Sequence, residues 1–152
     1  MGQRLTRREN WPSLLGEFLA ANVDTPFEYG KFDCCMAGIK AVAVMTGQNS
    51  KVLGDLVLEG TGADQKYTDT NLSETLDKVS GILGLVERVK KSFDFQLVSK
   101  TKAGPGDICI VDTEEGPAFG VLDNSARYVF VPKRPSGWGR LSRTAVRVAL
   151  RI

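Results

Sequence analysis

Hydrophobic positions recur at helical spacing in the first half of the chain and in short alternating runs in the second. Trp11, Leu14, Leu15, Phe18 and Leu19 predict a first helix, with Asn10 as its cap and Pro12 in its first turn. It gives way to the loop ANVDTPFEYGK, marked by Asp24, Pro26 and Gly30. A second helix is predicted to open at Asp33, a good N-cap, and to run through Met45 to a stop at Gly47. From Cys34 to Met45 its only charge is Lys40, so it is apolar nearly all round and must be buried on several sides. Ala37, Gly38 and Ala41 leave room on one flank for another element to approach.

Residues 50 to 70 are weakly patterned and broken by Gly54, Gly60 and Gly62, which reads as short helical turns or loop. A third helix is expected from Asn71, where Glu74 completes a capping box and Leu72, Leu76, Val79 and Leu83 form the apolar stripe. Beyond residue 85 the runs LVERV, FQLV, DICIVD, AFGVLD, RYVFV and AVRVAL are β-rich and separated by turn residues. Helices first and strands second imply an α+β domain, its helices packed on one face of an antiparallel sheet made by the C-terminal half. The chain, 152 residues long, reads as one domain over 1–152, with residues 1–9 as a flexible N-terminal arm.

Composition removes several function classes. A formal charge of +2 gives no reason to expect nucleic acid as a partner. The opening MGQRLTRREN is polar and no apolar run follows, so neither a signal peptide nor a membrane span is expected. Without an export signal, the 3 cysteines are expected to be reduced thiols, and a Cys34–Cys35 bridge would demand strained geometry. Their spacing does not suit a metal, GTGADQK lacks the ending of a phosphate loop, and no cofactor is implied. The late basic residues Lys133, Arg134, Arg140, Arg143, Arg147 and Arg151 read as a solvated surface that could face a partner.

The chemistry worth weighing sits at FDCC, residues 32–35. Cys34 falls in the first turn of a helix, where the macrodipole and free N–H groups favour a thiolate. Against this, a free cysteine is more often a small buried hydrophobe, and Cys35 and Cys109 fit that description well.

Three segments in order, PFEYGKFDC at 26–34, PGDICIV at 105–111 and AFGVLDN at 118–124, resemble the NlpC-type cell-wall peptidases. The similarity extends over roughly residues 10 to 131 and is greatest to the small NlpC-like proteins encoded near tail-tip genes of long-tailed phages. The resemblance implies a compact papain-like fold whose motif positions here are Tyr29, Gly30, Asp33, Gly106, Asp107 and Gly120. It implies a nucleophile at Cys34 and an activating histidine two residues before Gly120, where this chain has Ala118. For the third, orienting residue the following strand offers only Tyr128.

The chain has 0 histidines, so no such residue can stand in from elsewhere. Thiol attack on an amide needs a thiolate and then an acid to protonate the leaving amine, and a helix dipole supplies only the first. Asp112, Glu115 or Asp123 could act as a carboxylate base, but ordinary carboxylates suit the acid step poorly at neutral pH. The expectation is therefore a non-catalytic NlpC-like assembly component of a phage tail tip. It would be made in the host cytoplasm and located in the virion tail. Its partners would be other tail-tip proteins, hub or distal tail components, with peptidoglycan as a further candidate ligand. The alternative is an active cell-wall peptide thiol hydrolase that uses Cys34 with an unusual or partner-supplied base.

Overall fold

A computed structural model describes residues 5–29, 31–58, 95–114 and 116–151. Three helices lead, α1 (Trp11–Ala21), α2 (Cys34–Thr46) and α3 (Ser50–Leu58). Six strands follow, β1 (Gln96–Ser99), β2 (Ile108–Thr113), β3 (Gly116–Leu122), β4 (Tyr128–Pro132), β5 (Trp138–Ser142) and β6 (Val146–Arg151). They form one antiparallel sheet in the order β1-β6-β2-β3-β4-β5. The α+β class expected from the pattern is the one observed. The expected helix from Asn71, the LVERV strand, Gly30 and Glu115 lie outside the described residues.

Helix α2 is the central element, packed on α1, α3, β3 and β4. Its ends follow the sequence: the Asp33 carboxylate accepts from the Met36 N–H at 2.8 Å, and Gly47 closes it with φ of 72°. The small flank does its work at Gly38, where an added Cβ would meet Ile108 of β2 at 3.6 Å. Helix α1 starts differently from the expectation, since Asn10 makes no side-chain cap and serves through its backbone carbonyl, which accepts from Leu14.

Alternation along the strands divides the apolar side chains into two cores. Ile108, Ile110, Phe119, Val121 and Leu150 face the helices. Cys109, Val111, Leu122, Val129, Val131 and Ala149 pack together on the opposite face. A β-bulge between Ile110 and Val111 shifts the register against β6, which brings Val146 onto the same face as Ala149. The strand that the pattern missed, β5, enters the helix-side core through Trp138. Its ring meets Phe18, Phe32 and Phe130 edge-on at 5.8, 5.0 and 5.8 Å, and its indole N–H donates to the Leu19 carbonyl at 2.9 Å.

The stretch 1–9 was expected to be a free arm, but its described part is docked. Leu5 is 6% exposed, and the Arg8 N–H donates to the Met45 carbonyl at 2.7 Å. Residues 22–29 are likewise pinned, through Phe27 N–H to the Pro135 carbonyl and Gly137 N–H to the Thr25 carbonyl.

Candidate functional site

The three resemblance motifs converge on two places. The first is the start of α2. Cys34 packs against both cores, and the backbone of Phe119, the residue after Ala118, approaches its sulfur. Ala118 packs on the sheet face away from the helices, as does Cys34 in part. The structure thus brings Cys34 to the segment that carries Ala118, the two positions the resemblance would pair.

Tyr128 is not brought there. The register pairs Leu122 with Val129, so Tyr128 stands opposite Asp123, five positions along β3 from Ala118 or roughly 17 Å at strand rise. Its ring is 42% exposed and covered by the Arg140 guanidinium at 5.2 Å. Tyr29 is equally remote from the thiol in its contacts: it meets Phe27 edge-on at 5.2 Å and accepts a hydrogen bond from Arg134.

The electrostatics of the thiol oppose the dipole argument. Burial pushes the Cys34 thiol up to about 11, and the neighbouring Asp33 carboxylate pushes the same way. Backbone hydrogen-bond donors at Phe119, Cys35 and Cys34 offset this only in part. The capping carboxylate that starts the helix also places a negative charge beside the sulfur, which opposes the help the helix N-terminus gives a thiolate. Cys35 is raised well above its ordinary range by burial, with Asp33 and Cys34 adding to it. Gly38, Ile39, Val42, Ile108 and Phe119 help it line an apolar cavity of about 30 Å³. Such a space is large enough for water but offers it no polar partners. Cys109 is fully buried, pushed up to about 12, and aims its S–H at the Asp107 carbonyl at 3.6 Å.

Of the carboxylates weighed as bases, Asp112 pairs with Arg147 at 3.5 Å in an exposed setting. Asp123 organises the β3–β4 turn by accepting from Ser125 at 2.8 Å and from the Arg127 N–H at 3.3 Å. Neither side chain makes a hydrogen bond or ion pair with Cys34. Among the described residues no group of three or more His, Cys, Asp or Glu could hold a metal ion.

The second place is the turn before β2. Asp107 is 0% exposed and accepts from the Gly104 N–H at 2.7 Å. Its oxygens also take Arg151 at 2.7 and 3.0 Å and Arg7 at 3.3 Å. One buried carboxylate therefore ties the N-terminal segment, this turn and the last strand together. Desolvation lowers the Arg7 pKa even though Asp107 raises it, while Arg151 is raised by its hydrogen bond to Asp107. The difference follows from exposure, 14% for the Arg7 side chain against 38% for Arg151. Gly106 has φ of 79°, and an added Cβ would meet Arg7, Met45 and Trp11 at 3.0 Å. Gly120 is needed for a closer approach still, since a Cβ there would meet Val129 at 2.4 Å.

Two of the late arginines read as solvated surface turn out to be structural. Arg151 is in the Asp107 cluster, and Arg143 donates to the carbonyls of Ala126, Lys100 and Ala103. Nothing in the residue pattern marked them, because their partners are backbone atoms and a carboxylate dozens of positions away.

The fold and site together define an α+β domain with a protonated thiol at a helix–strand contact and a buried carboxylate holding both ends of the chain. The chain belongs to the DUF6950 family, a domain of unknown function, whose family model matches residues 6–152. No curated protein and no solved structure matches it. No helix among the described residues is long and apolar enough to cross a membrane.

Proposed function

We propose that this protein is a non-catalytic, NlpC-like structural or assembly component of a phage tail tip, which binds neighbouring tail proteins. One observation carries the non-catalytic half of the reading. The thiol at the nucleophile position sits against its own Asp33 cap and the backbone of Phe119, next to Ala118 instead of a histidine, in a chain with 0 histidines. An enzyme of this chemistry needs a thiolate near neutral pH and a proton donor for the leaving amine, and this chain has no histidine to provide them. The tail-tip half rests on the three ordered sequence motifs.

The test is turnover. Purified protein incubated with peptidoglycan, or with stem-peptide substrates, should release no product above buffer. Cys34→Ala should assemble into tails as the parent does. Cys34-dependent cleavage would overturn the reading in favour of a thiol hydrolase with an unusual or partner-supplied base.

A further inference from the structure

The last part of the chain is electrically unlike the rest. From Asn124 to Ile152 the sequence carries seven basic residues and no acidic one, although the whole chain is only +2. Four of the seven are engaged: Arg134 on Phe27 and Tyr29, Arg143 on carbonyls, Arg147 on Asp112 and Arg151 on Asp107. The other three, Arg127, Lys133 and Arg140, are exposed and have no carboxylate partner among the described residues, Arg140 resting over the Tyr128 ring. Lys133 and Arg140 lie on the β4–β5 hairpin, and Arg127 directly precedes β4.

That hairpin ends the sheet, because β5 is an edge strand. Its hydrogen-bond phase can be read from its two ends. Lys133 N–H donates to the Gly137 carbonyl at 3.0 Å and Arg143 N–H to the Arg127 carbonyl at 3.0 Å. Antiparallel pairs alternate, so 129↔141 and 131↔139 are the hydrogen-bonded pairs between them. The backbone groups of Arg140 and Ser142 consequently point away from β4, at strand spacing. Upstream on this same edge the chain already covers itself: Pro26 forms an antiparallel bridge with Ser136. Among the described residues that bridge is the last cover, and no further strand pairs with the edge where Arg140 stands. Gly139 adds no side chain to block approach, with the Lys133 stem beside it, 3.9 Å from where a Cβ would be.

We propose that the β5 edge is a docking strand for an extended, acidic segment of a partner protein. The segment would add to the sheet through main-chain hydrogen bonds to Arg140 and Ser142, and its carboxylates would meet Arg140, Arg127 and Lys133. A second copy of this chain is disfavoured as the occupant, since pairing two such edges sets like charges against each other. Nucleic acid is disfavoured because the feature on offer is a line of main-chain donors and acceptors on a nearly neutral protein. The inference rests on the assembly reading only for the partner's biological role.

The full chain can be titrated into a fluorescein-labelled nine-residue peptide of alternating glutamate and valine, followed by anisotropy. Saturable binding is expected. Arg140→Glu should weaken it by about tenfold or more, as close interfacial charge pairs do. Arg140→Lys should preserve it, and Arg147→Glu, away on β6, should change it less than about twofold. A peptide of equal charge with proline in place of valine and with N-methylated glutamates has no backbone N–H to pair and should not bind. Circular dichroism of each variant separates lost binding from lost fold. Equal binding of the proline peptide, an unaffected Arg140→Glu, or tighter binding of a nine-nucleotide oligothymidylate would each overturn the proposal. None of these outcomes bears on turnover by Cys34, so the two proposals fail independently.

Discussion

Two aspartates are buried among the described residues, and they do opposite things to their surroundings. Asp33, 3% exposed, caps α2 and sets a negative charge beside a thiol that desolvation already keeps protonated. Asp107, 0% exposed, collects guanidinium groups from two distant segments and a backbone N–H from its own turn. The motif that would carry chemistry by resemblance is electrostatically quiet. The motif that marked only the fold carries the buried charge network. A buried charge is stable where opposite charges and donors surround it, and a thiolate at Cys34 would meet a few backbone donors but also the Asp33 carboxylate.

The largest effect should come from the Asp107 side of this comparison. Asp107→Ala leaves Arg7 buried without its counter-charge, at a cost of about 3–5 kcal/mol in urea unfolding. A loss below that of Asp33→Ala would reverse the ranking of the two sites. Next is Gly120→Ala, where the new methyl meets Val129, Val131 and the Phe130 carbonyl, two of them under 3.0 Å. Overpacking of that kind costs about 1–3 kcal/mol. Asp33→Ala removes one helix cap and should cost about 1 kcal/mol. The same change withdraws the negative neighbour from Cys34, so iodoacetamide labelling of that thiol should shift to lower pH in the variant. An unchanged labelling profile would mean that burial alone sets the thiol.

The smallest effect is one of pH. Burial raises the Cys34 and Cys109 thiols from 9.0 to about 11 and about 12. The unfolded chain therefore loses these protons first as the pH rises, and the folded state binds more protons in between. By linkage, the stability contributed by neutral thiols is complete below about pH 9 and is lost as pH climbs toward 11–12. Urea midpoints measured from pH 7 to 10.5 should fall only above about pH 9. Cys109→Ala should flatten part of that fall.

Much of the fold was legible because its signals are local. The Asp33 cap, the Gly47 stop, the all-round apolar α2 and five of the six strands are readable from neighbours in the chain. Strand β5 was not, since WGRLS has two polar residues and a glycine and follows a PSG turn. It is a strand because Trp138 fills an aromatic pocket that no local pattern reveals. Cys34 was placed correctly at a helix start, but its protonation depends on how deeply the fold buries it.

By itself the sequence determined the class of fold, the ends of α2 and the absence of any histidine, since periodicity, capping and composition are properties of neighbours and counts. Only the tertiary structure decided what the charges do. It half-buried the thiol next to its own capping carboxylate and drew Arg7 and Arg151 onto Asp107 across 100 and 44 positions. Desolvation and long-range pairing are set by which surfaces fold together, and no stretch of residues carries that information alone.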